Sequence, residues 1–196
     1  MKQYTIKAEK PDTAHIDCYA WQEDYPTVLT AGAQVSYDQN ALWVHLFAQE
    51  TNLRIATKKP NEMVCEDSCL EFFFTPMPEK DSRYFNFEFN PAGNYWLSIG
   101  DGRGARECME LSDFPFNFCV KTQVDAAGWA VSFCVPYGFI LQFFPDFVAA
   151  PGRVMRGNFY KCGDLTDHVH FGSWAPVGTP TPDFHQPEFF GTLIFA

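Results

Sequence analysis

The chain has 196 residues, 46% hydrophobic and 17% aromatic, with Phe occurring 21 times. That is ample apolar surface for one large domain, and it excludes an intrinsically disordered chain. A formal net charge of −10 without any cluster of Lys and Arg argues against nucleic acid and anionic membrane as partners and leaves neutral or cationic ligands open. Strand-like runs follow in chain order: ALWVHLFA (41–48), CLEFFFT (69–75), YFNFEFN (84–90), NYWLSI (94–99), FCVKTQV (118–124), WAVSFCV (129–135), GNFYKCG (157–163) and GTLIF (191–195). Most alternate with period two and are rich in Phe, Val, Tyr and Trp. A short helix is predicted over YGFILQFF (137–144), bracketed by Pro136 and Pro145. NPAGN (90–94) and DAAG (125–128) read as hairpin loops, and the proline-rich segment 175–188 as a long surface loop. Without internal repeat or linker, the pattern predicts one all-β domain over residues 1–196, an antiparallel β-sandwich of jelly-roll or immunoglobulin-like type.

Seven cysteines with no CxxC pair read as free thiols rather than a zinc ribbon or a disulfide framework. The opening KQYTIKAEK lacks the apolar run of a secretory signal. Both points predict a reducing cytoplasm, or secretion if a signal sequence precedes this chain.

Chemistry is concentrated on two strands. In 84–90, Phe85, Phe87 and Phe89 share one face while Tyr84, Asn86, Glu88 and Asn90 share the other; in 69–75, Leu70, Phe72 and Phe74 oppose Glu71 and Phe73. If these strands pair as hairpin neighbours, Glu71, Asn86 and Glu88 lie together. Two carboxylates and an amide beside aromatic rings suit a polyhydroxylated ligand, since they exchange hydrogen bonds with hydroxyls while rings stack on the sugar's C–H face. The plain alternative is a solvated sheet face. Carboxylates opposed at about 5 Å also match the spacing of a retaining glycoside hydrolase acting through Glu71 and Glu88. His168, His170 and His185 do not complete a metal-ligand pattern, so no metal is assigned. GDGRG (100–104) reads as a flexible turn rather than a phosphate loop, and no nucleophile is identified.

Four stretches together, CEDSCLEFFFTP, RYFNFEFNPAGN, RGNFYKCGD and HFGSWAPVGTPTPDFHQPEFFGTLIF, resemble the carbohydrate-binding module family 9-like domains. The resemblance spans roughly residues 15 to 196. It implies a jelly-roll sandwich that binds sugars without chemistry of its own. In the xylanase-borne members, a sugar at the reducing end of a glucan or xylan is held between two Trp rings over polar strand residues. Carried over by position, Glu71, Asn86 and Trp174 match the family's acidic-strand Glu, its next-strand polar residue and its late-loop Trp. Asn158 and Tyr160, on one side of GNFYKCG, are added from alternation alone. The first clamp Trp falls where Val64 and Cys65 stand, which leaves Trp174 to act alone or with Trp96. The resemblance allows calcium, although no loop of spaced acids marks a site for it. The expectation is a non-catalytic domain binding a mono- or oligosaccharide through Trp174, Glu71, Asn86, Glu88, Asn158 and Tyr160. A hydrolase using Glu71 and Glu88, and an interaction or homodimerisation sandwich built on aromatic loops, are the alternatives.

Overall fold

The structure, a computed structural model, describes residues 2–196. Its first sheet contains β1 (Gln3–Ile6), β5 (Cys69–Thr75), β6 (Tyr84–Phe89), β7 (Tyr95–Gly100), β8 (Glu107–Cys108), β11 (Val154–Cys162), β12 (Phe171–Ser173) and β13 (Gly191–Phe195). They lie in the order β1-β13-β11-β5-β6-β7-β8, with β12 added to β11. The second sheet contains β2 (Ala14–His15), β3 (Ala31–Tyr37), β4 (Ala41–Ala48), β9 (Lys121–Asp125) and β10 (Gly128–Pro136), ordered β2-β3-β4-β10-β9. Neighbours are antiparallel except β1 and β13. The expected all-β sandwich is therefore the observed architecture. Helix α1 (Tyr137–Phe143) follows Pro136 directly and buries Phe139 and Ile140.

Alternation explains how the layers meet. Leu70, Phe72, Phe74, Phe85, Phe87 and Phe89 point inward and join Val44, Leu46, Val131 and Phe133 of the second sheet in one core. Phe72 stacks on Phe74 and Phe159 at centroid separations of 4.7 and 4.9 Å, and Phe87 stacks on Phe133 at 5.5 Å. Each such ring contributes about 1.5–3 kcal/mol by leaving water. At the β6–β7 hairpin, the Asn90 side chain accepts hydrogen bonds from the N–H groups of Ala92 (3.1 Å) and Asn94 (3.0 Å), while Gly93 takes the positive φ of 82°.

The other face of the first sheet is not solvated. Every residue of β5 and β6 is buried. A second apolar cluster, in which Trp21, Val64, Val177, Phe184 and Phe190 cover Phe73, Tyr84 and Tyr160, forms a third layer from loops.

One inward position breaks the alternation of apolar residues. Lys161 faces the core beside Phe159, and its ammonium group lies 3.0 Å from the Glu50 carboxylate. Glu50 also accepts from Ser68 (3.0 Å) and from the indole N–H of Trp129 on β10 (3.0 Å), so this buried pair joins the two sheets. Lys161 Nζ donates to the Cys162 carbonyl and to His170 Nε2, each at 2.7 Å. An ammonium cannot accept a hydrogen bond, so His170 must carry its proton on Nδ1, which donates to the His168 carbonyl at 2.6 Å.

Two predictions follow from these contacts. Burial and the Lys161 ammonium hold the His170 imidazole down at about 4, from an ordinary 6.5. Between those values the unfolded chain binds a proton that the folded chain refuses, so stability falls as pH drops through the window. Urea titrations from pH 7.5 to 4.5 should show a smaller acid-side loss for His170→Gln than for the native chain. Separately, a Cβ on Gly191 would stand 2.3 Å from the Trp174 ring. Gly191→Ala should cost about 1–3 kcal/mol in the same assay, the usual effect of overpacking.

Candidate functional site

The register across the first sheet sets out the site in rows. Tyr160 of β11, Glu71 of β5, Glu88 of β6 and Trp96 of β7 are successive cross-strand partners. The neighbouring row is Asn158, Phe73, Asn86 and Ser98, and beyond Glu71 on the opposite side Cys69 pairs with Cys162. All these side chains leave the sheet on the face opposite the Phe core. A cleft partly open to solvent lies over the first row, with Glu71, Glu88 and Trp96 in its lining.

A chain of hydrogen bonds stiffens this floor. The Trp96 indole N–H donates to Ser98 Oγ (3.2 Å), the Ser98 hydroxyl to Asn86 Oδ1, and Asn86 Nδ2 to Glu88 Oε1 (2.6 Å). On the cleft side, the Arg106 guanidinium lies 5.7 Å from the Trp96 ring centroid and 4.0 Å from Glu88. The Cys162 thiol donates to Glu71 Oε1 at 2.9 Å. Arg103 and Asp183 pair at 2.6 Å and tie two of the covering loops together. His185 shares a 2.9 Å hydrogen bond with the Tyr84 hydroxyl, and burial, reinforced by Arg106 and Arg103, lowers its imidazole to about 3.

Burial governs the charge of the floor. Loss of water, then the Glu88 charge, pushes the Glu71 carboxyl well above the usual carboxylate range. Burial raises Glu88 to about 7 against the pull of Arg106 and Asn86, and raises Asp164 to about 6. Both shifts favour the protonated form, and a carboxyl that holds its proton offers a hydroxyl donor beside carboxylate acceptors.

The structure brings together only part of the expected residue set. Glu71 and Glu88 line the cleft, whereas Asn86 is fully buried behind Glu88 and spends its amide on Glu88 and Ser98. Tyr160 lies beneath the wall, stacked on Phe184 at 4.1 Å with its hydroxyl donating to the Phe184 carbonyl. Asn158 is occupied elsewhere: it donates to the Ala175 carbonyl (2.9 Å) and accepts from the N–H groups of Phe159 (3.0 Å) and Ala175 (2.8 Å). The expectation that Trp174 covers the ligand is corrected outright. Its ring is buried in the main core against Tyr4, Phe159 and Gly191, on the side away from the cleft. Trp96, on β7, is the tryptophan that lines the cleft.

Arg103, Arg106, Asp164, Phe171 and Asp183 also line the cleft without having been expected there, as does His185, which the sequence offered only as a discounted metal ligand. The two arginines leave the GDGRGAR turn, and His185 leaves the proline-rich loop; neither segment has a periodicity that could have aimed its side chains. Nor do the histidines converge, since His168 is exposed while His170 and His185 bond different partners. Among the described residues, the group of His, Cys, Asp or Glu side chains whose donor atoms gather within 4.8 Å is Cys69, Glu71 and Cys162. Two thiols and one carboxylate do not suit calcium, which takes six to eight oxygen ligands.

The sequence profile of carbohydrate-binding family 9 matches residues 2–195. Among solved structures, a candidate carbohydrate-binding protein from Bacteroides uniformis ATCC 8492 superposes with a TM-score of 0.83 at 29% identity, covering 100% of this chain and 99% of that one. A family 9 module from Caldicellulosiruptor kristjanssonii in complex with glucose gives 0.70 at 12% identity over 100% and 96% of the two chains. The same organism's module in complex with cellotriose gives 0.67 at 13% identity over 99% and 93%. At these last identities the likeness is one of fold. Functionally curated proteins give no match.

The hydrogen-bond chain yields a direct test. Ser98→Ala leaves the buried Asn86 carbonyl without its donor and should cost about 1–3 kcal/mol of stability in denaturant melts.

Proposed function

Because the chain belongs to carbohydrate-binding family 9, we propose that this cleft binds a sugar end, with Glu71 and Glu88 bonding ring hydroxyls and Trp96 offering an aromatic face. The observation that carries the reading is the row Glu71, Glu88, Trp96 on a floor that is otherwise sealed by loops. A proton-bearing carboxyl beside an ionised one can donate to one hydroxyl and accept from the next, which matches vicinal hydroxyls. Phe171 and Phe184 supply apolar wall to the same cleft. Glucose and cellotriose, the ligands of the Caldicellulosiruptor kristjanssonii module, are the first compounds to try.

Binding without chemistry is the reading that the family supports. Both carboxylates rise from adjacent strands of one floor, whereas a glycoside hydrolase needs its two acids to flank the scissile bond.

Calorimetric titration with glucose, cellobiose, cellotriose and xylobiose tests the proposal. Glu88→Gln and Trp96→Ala should each weaken binding about tenfold or more, roughly 1.4 kcal/mol. Trp174→Phe should lower the melting temperature and leave affinity within about twofold of the native value. Absence of heat across the panel would overturn the reading, and turnover of an aryl glycoside abolished by Glu71→Gln would replace it with the hydrolase.

A further inference from the structure

Three of the groups at the base of the cleft have a chemistry that sugar binding does not use. Cys69 and Cys162 face each other across β5 and β11, and Glu71 follows Cys69 by one pleat on the same face. Their two sulfur atoms and one carboxylate oxygen all lie within 4.8 Å of one another, and all three side chains are buried. Tetrahedral zinc with bonds of about 2.3 Å to sulfur and about 2.0–2.2 Å to carboxylate oxygen needs donor atoms roughly 3.5–3.8 Å apart, well inside that envelope. Neither thiol is committed to a disulfide.

Their surroundings point the same way. Asp164 lines the cleft with Glu71 and Cys162, and its Oδ1 is buried without a hydrogen-bond partner. Two thiols and a carboxylate gathered in this way are donors suited to a divalent cation.

We propose that Cys69, Cys162 and Glu71 form a binding site for a zinc-class divalent cation, with the fourth position opening toward the cleft beside Asp164. Cys69 closes the site from behind, since it does not line the cleft, while Cys162 and Glu71 do. Binding displaces the thiol proton of each cysteine, and the carboxyl proton of Glu71 where it is present; these protons pass to solvent and no electron is transferred. Thiolate ligands select zinc, cobalt(II) or cadmium over calcium and magnesium. The site rests on the geometry of the three side chains and not on the sugar reading, although both use Glu71.

Cobalt(II) serves as the probe, added to the reduced full-length chain with no sugar present. The expected result is one equivalent of cobalt bound with thiolate-to-cobalt charge-transfer absorption, lost on adding zinc and unaffected by magnesium. Cys162→Ser and Glu71→Gln should each weaken binding at least about tenfold, the size of loss seen even for outer-shell partners of metal sites. Cys108→Ser, at an exposed thiol outside the group, should change nothing. Zinc should also raise the melting temperature of the native chain and not that of Cys162→Ser, which keeps the test valid if Cys69→Ser fails to fold. No thiolate band in the native chain, or a band that survives Cys162→Ser, would overturn the proposal. So would a Cys69–Cys162 disulfide found by mass spectrometry in a protein whose reduced form binds no cobalt. Sugar calorimetry on the metal-free chain reports separately, so either reading can fail without the other.

Discussion

Strand β5 is held between β6 and β11 with both of its faces buried, and this double burial is the constraint on which everything else rests. Because side chains alternate, the stacked Phe72 and Phe74 on the inner face leave Glu71 no direction but outward. A slip of one residue would put a carboxyl into the Phe core, so the packing of the core fixes the placement of the acids. The outward face is then roofed by loops, and the acids meet each other in a space that water only partly reaches. Their raised proton affinities are the direct result.

That roof also decides what kind of binding surface this is. An open sheet face would present its polar residues to any solute, and the ligand would have to order them. Here Trp96, Ser98, Asn86 and Glu88 are already joined in one hydrogen-bonded line before a ligand arrives. Positions set in advance in this way reduce the ordering cost of association, so a small contact area can suffice. The covering loops are pinned in turn: Asp67, fully buried, accepts from the backbone of Ala56 and Thr57 at 2.8 and 3.0 Å and from Asn90 at 3.0 Å. Asp67, ahead of β5 in the CEDSCLEFFFTP stretch, is thus a fastening for loops rather than part of the ligand floor.

Much of the sandwich could be read from the chain because its central strands are long, alternating and rich in aromatic residues. β4, β5 and β13 have the boundaries expected from their patterns, and α1 stops one residue short of its predicted end. The strands outside that pattern are short or weak in the signal: β2, β8 and β12 have two or three residues, β1 has four, and β3 begins with Ala-Gly-Ala. In the site, Glu71 and Glu88 were legible because period two is a local rule. Trp174 was not, since its place depends on the bare backbone of Gly191 giving room for an indole, a contact between distant parts of the chain that no spacing reveals. Cys69 and Cys162 share the same difficulty, for only the β5–β11 register makes them neighbours.

The inward lysine on β11 has a bearing on how the chain avoids mispairing. Alternation forbids slips by odd numbers of residues but is blind to a slip by two, which would still send Met155 and Phe159 into the core. Such a shift would carry Lys161 away from Glu50 and strand two charges in the interior, at a cost of about 3–5 kcal/mol. Hydrophobic pattern and buried ion pair are therefore complementary locks, one reading parity and the other absolute position. Since Cys162 follows Lys161 immediately, the lock that sets the strand in frame also sets where the cleft floor begins.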